Sequence, residues 1–188
     1  SSAASDVYKR QPDVVMIGEI RDRETAEMAV HAALTGHLVL STLHTNDAVS
    51  APVRLTDMGI PPYLLSASLS LIISQRLVKK LCPACRKEMV ITREMAEEKL
   101  FPEAFIGRRA YMAKGCDHCR GKGADGRTGV FEMLEIGKEE RRLLHKNAAA
   151  EEFSECMKKQ GQYSLRESLL RLMESGAVPP EEAALLWE

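Results

Sequence analysis

Hydrophobic positions switch period within the first quarter of the chain. Val14 to Ile17 is an unbroken apolar, partly β-branched run, the pattern of a strand buried on both faces. Asp22 then stands at a helix-capping position. Ala26, Ala29, Val30, Ala33 and Leu34 follow at i, i+3, i+4, i+7 and i+8, one apolar helical face, and Gly36 supplies a left-handed stop. Leu38 to Leu43 returns to a strand pattern. Strand, short helix and strand in such close succession predict a parallel βαβ unit, and open parallel sheets bind ligands at the carboxyl ends of their strands.

Further along, Asn46 or Asp47 caps a helix expected to run to Met58, and Gly59, Pro61 and Pro62 end it and start another. This second helix is expected from Tyr63 to about Gln75, apolar nearly all round and so deep in the core. Arg93 to Leu100 reads as a charged helical stretch within residues 86–115, a segment with few large apolar groups. In "GKGADGRTGVFEML", residues 121–134, four glycines make a phosphate-binding nest conceivable, but the run lacks a G-K-[ST] ending and a helix start, so tight turns into a strand at Val130 to Leu134 are expected. Residues 138–188 read as helical: "SLRESLLRLMESG" has a Ser cap, an apolar face and a Gly stop, and Pro179 starts a last short helix. The opening "SSAASDVYKRQ" has no apolar period and meets "PDVVMIGE" abruptly; it is expected to be a foreign tail over residues 1–11, a natural flexible terminus being the alternative.

Composition narrows the class. With 188 residues, 45% hydrophobic and 28% charged, the chain reads as globular and large enough for one core plus an appendage. A net charge of -1 gives no reason to expect nucleic acid as a partner, and no apolar run approaches the roughly 18 residues of a membrane span. A cytoplasmic location is expected.

Two sets of residues carry chemistry. Glu19 ends the first strand and His44 follows the second. A carboxylate at a strand end can hold the water shell of Mg²⁺ or orient an attacking water, and an imidazole on the next strand can report a terminal phosphate. The plainer alternatives are a solvated or capping acid for Glu19, a turn histidine for His44 and, for His37, a charge at a helix C-terminus. The second set is "CPAC" and "CDHC": Cys82, Cys85, Cys116 and Cys119, four of the five cysteines. Two such knuckles place four thiolates around Zn²⁺ at about 2.3 Å, a closed site with no open position for water and therefore structural. Disulfides are the alternative, disfavoured in a reducing compartment. His118 lies inside the second knuckle as a bystander able to replace a cysteine, and Cys156 stands alone as a small packed or partly exposed side chain.

"MIGEIRDRETAEMAVHAALTGHLVLSTLHTNDA", "DMGIPPYLL", "QRLVKKLCPAC", "GCDHC", "GRTGVFEML" and "KKQGQYSLRESLLRLMESGAVPPEEA" occur in the order found in the GspE/PulE/PilB-type secretion ATPases of type II secretion and type IV pilus assembly. The chain resembles that family from Pro12 to its end. The resemblance implies an α/β fold with a partial RecA-like parallel-sheet core over residues 12–80, a four-cysteine zinc loop over 81–135 and a C-terminal helical subdomain over 136–188. It makes Glu19 the acid of a Walker B motif that acts on Mg²⁺-ATP. It makes His37 and His44 a histidine box and Cys82, Cys85, Cys116 and Cys119 ligands of structural Zn²⁺. It further implies a homo-hexamer, peripherally held at the inner membrane by a platform protein, that serves secretion or pilus machinery.

The family's glycine-rich phosphate loop, its aspartate box and its arginine contacts precede the Walker B strand. The chain is expected to begin too late to contain them, and by itself to neither bind ATP tightly nor hydrolyse it. Two alternatives stand beside the motor reading: a naturally short, non-hydrolysing zinc-stabilised adaptor for a motor or platform protein, and an unrelated zinc-stabilised binding module.

Overall fold

The computed structural model describes residues 13–187, and the expectation of a foreign tail over residues 1–11 lies outside the described residues. In chain order the elements are β1 (Val14–Ile20), α1 (Arg23–Leu34), β2 (Leu38–Leu43), α2 (Ser50–Asp57), α3 (Pro62–Ser68), β3 (Leu71–Leu81), β4 (Arg86–Val90), α4 (Arg93–Lys99), a 3-10 turn (Glu103–Phe105), β5 (Arg109–Ala113), β6 (Ala124–Glu135), α5 (Lys138–His145), α6 (Ala150–Lys159), α7 (Leu165–Glu174) and α8 (Pro180–Leu185). They form an α/β fold in two compact units. One comprises the described residues through Ile72 with Leu134–Gln160, the other Ile73–Met133 with residues from Gly161 onward. The 136–188 stretch is accordingly divided, α5 and α6 falling in the first unit and α7 and α8 in the second. No helix of the described residues is long and apolar enough to cross a membrane.

The first unit opens with the expected βαβ arrangement. β1 and β2 pair in parallel from Val14↔Leu38 to Ile17↔Ser41, and a shift in register at Gly18 and Glu19 brings Ile20 opposite Leu43. Asp22 caps α1 by accepting from Thr25 N at 2.8 Å, which holds its carboxyl below the usual carboxylate range. Asp47 accepts from Ser50 N at 2.8 Å at the start of α2. Ala26 and Val30 of α1 pack with Leu55, Ile60, Leu65, Leu144, Phe153 and Met157 into one core. Burying each large side chain contributes about 1.5–3 kcal/mol.

Two expectations fail here. Val14–Ile17 is not buried on both faces: Val14 is 51% and Met16 76% exposed, as are their partners Leu38 and Leu40 at 57% and 50%. An unbroken apolar run says that both faces are apolar, and only a second layer decides that both are covered. The helix expected from Tyr63 to Gln75 ends at Ser68, and Leu71 begins β3. Exposed Leu71, Ile73, Gln75 and Leu77 alternate there with Ile72, Ser74, Arg76 and Val78 on the more buried side. That alternation and its β-branched residues are strand features, which an overall apolar count conceals.

In the second unit β3 pairs with β6, and β4 pairs antiparallel with β5 from Arg86↔Ala113 to Val90↔Arg109. β6 starts at Ala124, six residues before the expected Val130. Its early positions are strand although Asp125, Arg127 and Thr128 are polar. Nor is the segment between the knuckles poor in core. Ile91, Ala96, Phe101, Phe105 and Ala110 are buried with Val78, Val130, Leu169, Met173 and Val178, and Phe105 meets Trp187 edge to face at 5.1 Å between ring centroids. Ser164 and Glu167 form a capping box on α7. At α8 the Glu182 carboxylate accepts from Lys79 N at 3.0 Å and pairs with Lys79 Nζ at 2.9 Å. Burial works to raise the Glu182 carboxyl, but those Lys79 bonds, with Arg127, hold it below its ordinary value.

Candidate metal centre and acid–histidine pair

The four cysteines come from the end of β3, the turn into β4 and the loop before β6, all within the second unit. Their thiols lie within 4.8 Å of one another. Cys82 Sγ is 3.9 Å from Cys116 Sγ, Cys85 Sγ is 3.9 Å from Cys119 Sγ, and Cys116 Sγ is 3.8 Å from Cys119 Sγ. Four sulfurs placed tetrahedrally at about 2.3 Å from Zn²⁺ are separated by about 3.8 Å. The cluster therefore has the dimensions of a zinc site, and all four cysteines are free thiols.

The backbone is built around these sulfurs. Cys116 N and Gly123 N both donate to Cys119 Sγ at 3.2 Å. Cys82 N donates to Gly123 O at 2.9 Å, tying the two knuckles together. Gly115 turns at φ 96°, and a Cβ on it would sit 2.5 Å from Gly121 O, so only glycine fits. Burial raises the Cys119 thiol, but the two backbone donors and the neighbouring thiols of Cys116 and Cys85 outweigh it and bring it down to about 6. Burial, reinforced by the other three thiols, pushes Cys85 up to about 12. A divalent cation at the centre of the cluster would favour thiolate at each of the four sulfurs. His118 is outside the cluster, 58% exposed and 3.6 Å from Asp125. Cys156 belongs to the first unit, where its thiol donates to Glu140 Oε1 at 3.0 Å.

Glu19 and His44 are brought together. Glu19 lies in the irregularity of β1; its buried Oε1 faces His44 Nε2, while its other oxygen accepts from Arg21 Nε at 2.6 Å. Glu19 is 21% and His44 87% exposed in their side chains. Thr42 Oγ1 donates to Gly18 O at 2.8 Å and pins the β1 irregularity to β2. Sequence pattern alone does not single out Arg21 or Thr42. The R-D-R run after Glu19 is the available signal for the first, and the polar Ser41–Thr42 step in an otherwise apolar β2 for the second.

His37 is elsewhere. It stands before β2 and His44 after it, so a six-residue strand separates them, roughly 20 Å of extended backbone. Gly36 turns at φ 97°, Gly36 N donates to Ala33 O at 3.1 Å and His37 N to Ala32 O at 3.2 Å. These are the paired reverse bonds of a Schellman stop. The His37 ring joins that stop through Nδ1, 3.1 Å from Ala32 O.

Comparison with known proteins agrees with this architecture. The type II secretion system protein HxcR of Pseudomonas aeruginosa is 44% identical over 176 residues, which cover 94% of this chain and 34% of HxcR. The type IV pilus assembly ATPase PilB of Myxococcus xanthus is 44% identical over 184 residues, 97% of this chain and 32% of that protein. Among solved structures, the pilus retraction motor PilT with bound ADP superposes with a TM-score of 0.63 at 26% identity, over 98% of this chain and 42% of PilT. The chain spans about a third of the length of the curated relatives it matches. The family model described as type II/IV secretion system protein matches residues 3–185, and the chain belongs to that family.

Proposed function

We propose that the chain is the C-terminal part of a hexameric cytoplasmic motor ATPase. Held peripherally at the inner membrane through a platform protein, the motor powers type II secretion or type IV pilus assembly by ATP hydrolysis. The observation that carries this reading is the meeting of Glu19 and His44 at the carboxyl ends of two parallel strands, where α/β sheets present their ligand sites. Residues 12–80 are then the later half of a RecA-like core. Glu19 is the Walker B acid that would hold the water shell of Mg²⁺-ATP, the metal supplying charge neutralisation at the phosphates. Arg21 and His44 aim the carboxylate from its two sides. Because His44 is so exposed and engages Oε1, it can exchange Glu19 for a phosphate group and so couple the carboxylate to nucleotide state.

Cys82, Cys85, Cys116 and Cys119 hold a structural Zn²⁺ in this reading, the sulfur spacing being the supporting observation. The chain contains no G-x-x-x-x-G-K-[ST] run, so its own residues offer the β and γ phosphates neither a cradle of backbone N–H groups nor a lysine. By itself it is inactive. In a full-length protein carrying this segment, Glu19→Gln is expected to lower turnover by roughly 100-fold or more, and an unchanged rate would overturn the motor role of Glu19. For the isolated chain, Mg²⁺-dependent phosphate release that Glu19→Gln abolishes would overturn the proposed inactivity.

A further inference from the structure

The surroundings of His37 decide which of its nitrogens carries the proton. Nδ1 lies 3.1 Å from Ala32 O and 3.1 Å from Thr35 Oγ1. The Thr35 hydroxyl is itself 2.8 Å from Ala32 O and 3.2 Å from His31 O. Both are carbonyls, which only accept; with its one proton given to either of them, the Thr35 oxygen is left to accept from Nδ1. Ala32 O is the obligate acceptor, 3.1 Å from Nδ1, and a neutral imidazole satisfies it only with its proton on Nδ1. Nε2 has no hydrogen-bond partner among the described residues.

We infer that His37 is locked as the Nδ1–H tautomer with Thr35 as its positioning residue, so that Nε2 presents a lone pair to a hydrogen-bond donor and not to a phosphate oxygen. A phosphate oxygen accepts and finds no proton on Nε2 of the neutral ring. The length of β2 also places His37 away from a phosphate held near Glu19 and His44. The fitting partner is a hydrogen-bond donor such as a guanidinium or ammonium group. Histidines at the two ends of one strand then do different jobs: His44 answers to the acid site, His37 to a cation. The use made of Nε2 rests on the motor reading; the tautomer does not.

Long-range ¹H–¹⁵N correlation on the ¹⁵N-labelled chain at about pH 8, above the usual imidazole range, reads the tautomer without nucleotide. A protonated Nδ1 with an unprotonated Nε2 at His37 is expected, and the reverse pattern overturns the inference. Thr35→Val should lower the share of the Nδ1–H form and Thr35→Ser restore it; no change with valine would show that Ala32 O alone sets the ring and remove Thr35 from the assignment. Inorganic phosphate should leave the Nε2 resonance where chloride at equal ionic strength leaves it. A phosphate-specific shift would overturn the donor assignment. A confirmed tautomer combined with unimpaired turnover of His37→Ala in the full-length protein would instead count against the motor role of His37.

Discussion

Gly36 shows how much one residue decides. Its positive φ is what lets both Gly36 N and His37 N reach back onto α1. A Cβ built there would meet no atom within 4 Å, so the penalty of Gly36→Ala is conformational alone, about 1–2 kcal/mol. We expect a urea midpoint lowered accordingly and a displaced His37 ring resonance; an unchanged midpoint would mean that the stop does not hold α1. Cys156 makes a second prediction. Burial, then the hydrogen bond to Glu140 and its charge, push this thiol up to about 11. A folded-state value above the unfolded one, about 8.5, means that the folded chain holds the proton more tightly. Its contribution to stability is therefore complete below the unfolded value and is lost as pH rises toward 11. Stability measured across that interval should fall, and Cys156→Ala should flatten the fall. The sequence supplied the Gly36 stop because a left-handed glycine has a local signature. The Glu140 partner of Cys156 lies 16 residues away, and nothing in helical spacing points to it.

At the scale of elements, the four thiols replace what a larger core would otherwise supply to the knuckles. The two knuckles meet through Cys82 N and Gly123 O, and β4 pairs with β5 next to them, so if Zn²⁺ occupies the cluster as proposed, its removal by a chelator should expose the ends of β3 and β5 and the starts of β4 and β6 first. We expect the loss of amide-exchange protection to be concentrated there, and Cys116→Ser to reproduce it with less than one bound zinc per chain. Retained protection after complete metal removal would show that the cluster folds unaided. The α4, Phe101 and Phe105 segment has its own buried side chains and should loosen last. Element types were legible where period and cap agreed, as in α1 with Asp22 and Gly36 and α7 with Ser164 and Gly176. Tyr63 to Gln75 misled because its residues are apolar in both periods, and the break at Ser68 to Ser70 carries no proline or glycine to announce a change of element. β6 was underestimated for the opposite reason. Asp125, Gly126 and Arg127 look like turn residues, yet β6 extends through them.

For the molecule as a whole, each unit is assembled from two separated stretches of chain, so reading residues in consecutive blocks cannot recover the division. The cysteine cluster survived that difficulty because its members are identifiable by type and spacing alone. The acid–histidine pair was legible as two strand ends, but not the roughly 20 Å that keeps His37 away from it; that follows only once β2 is known to run straight between the two histidines. Val14, Met16, Leu38 and Leu40 have a practical consequence as well. Four exposed apolar side chains on adjacent strands form a hydrophobic sheet face, and such faces govern colloidal behaviour in the test tube. The purified chain should light up an environment-sensitive dye while still folded and should scatter more light as it is concentrated. Met16→Lys with Leu40→Glu should quiet both signals without lowering the melting temperature, and failure to do so would place the stickiness elsewhere. Anyone handling this polypeptide would then be working with a surface whose solubility is set by a few side chains on one short pair of strands.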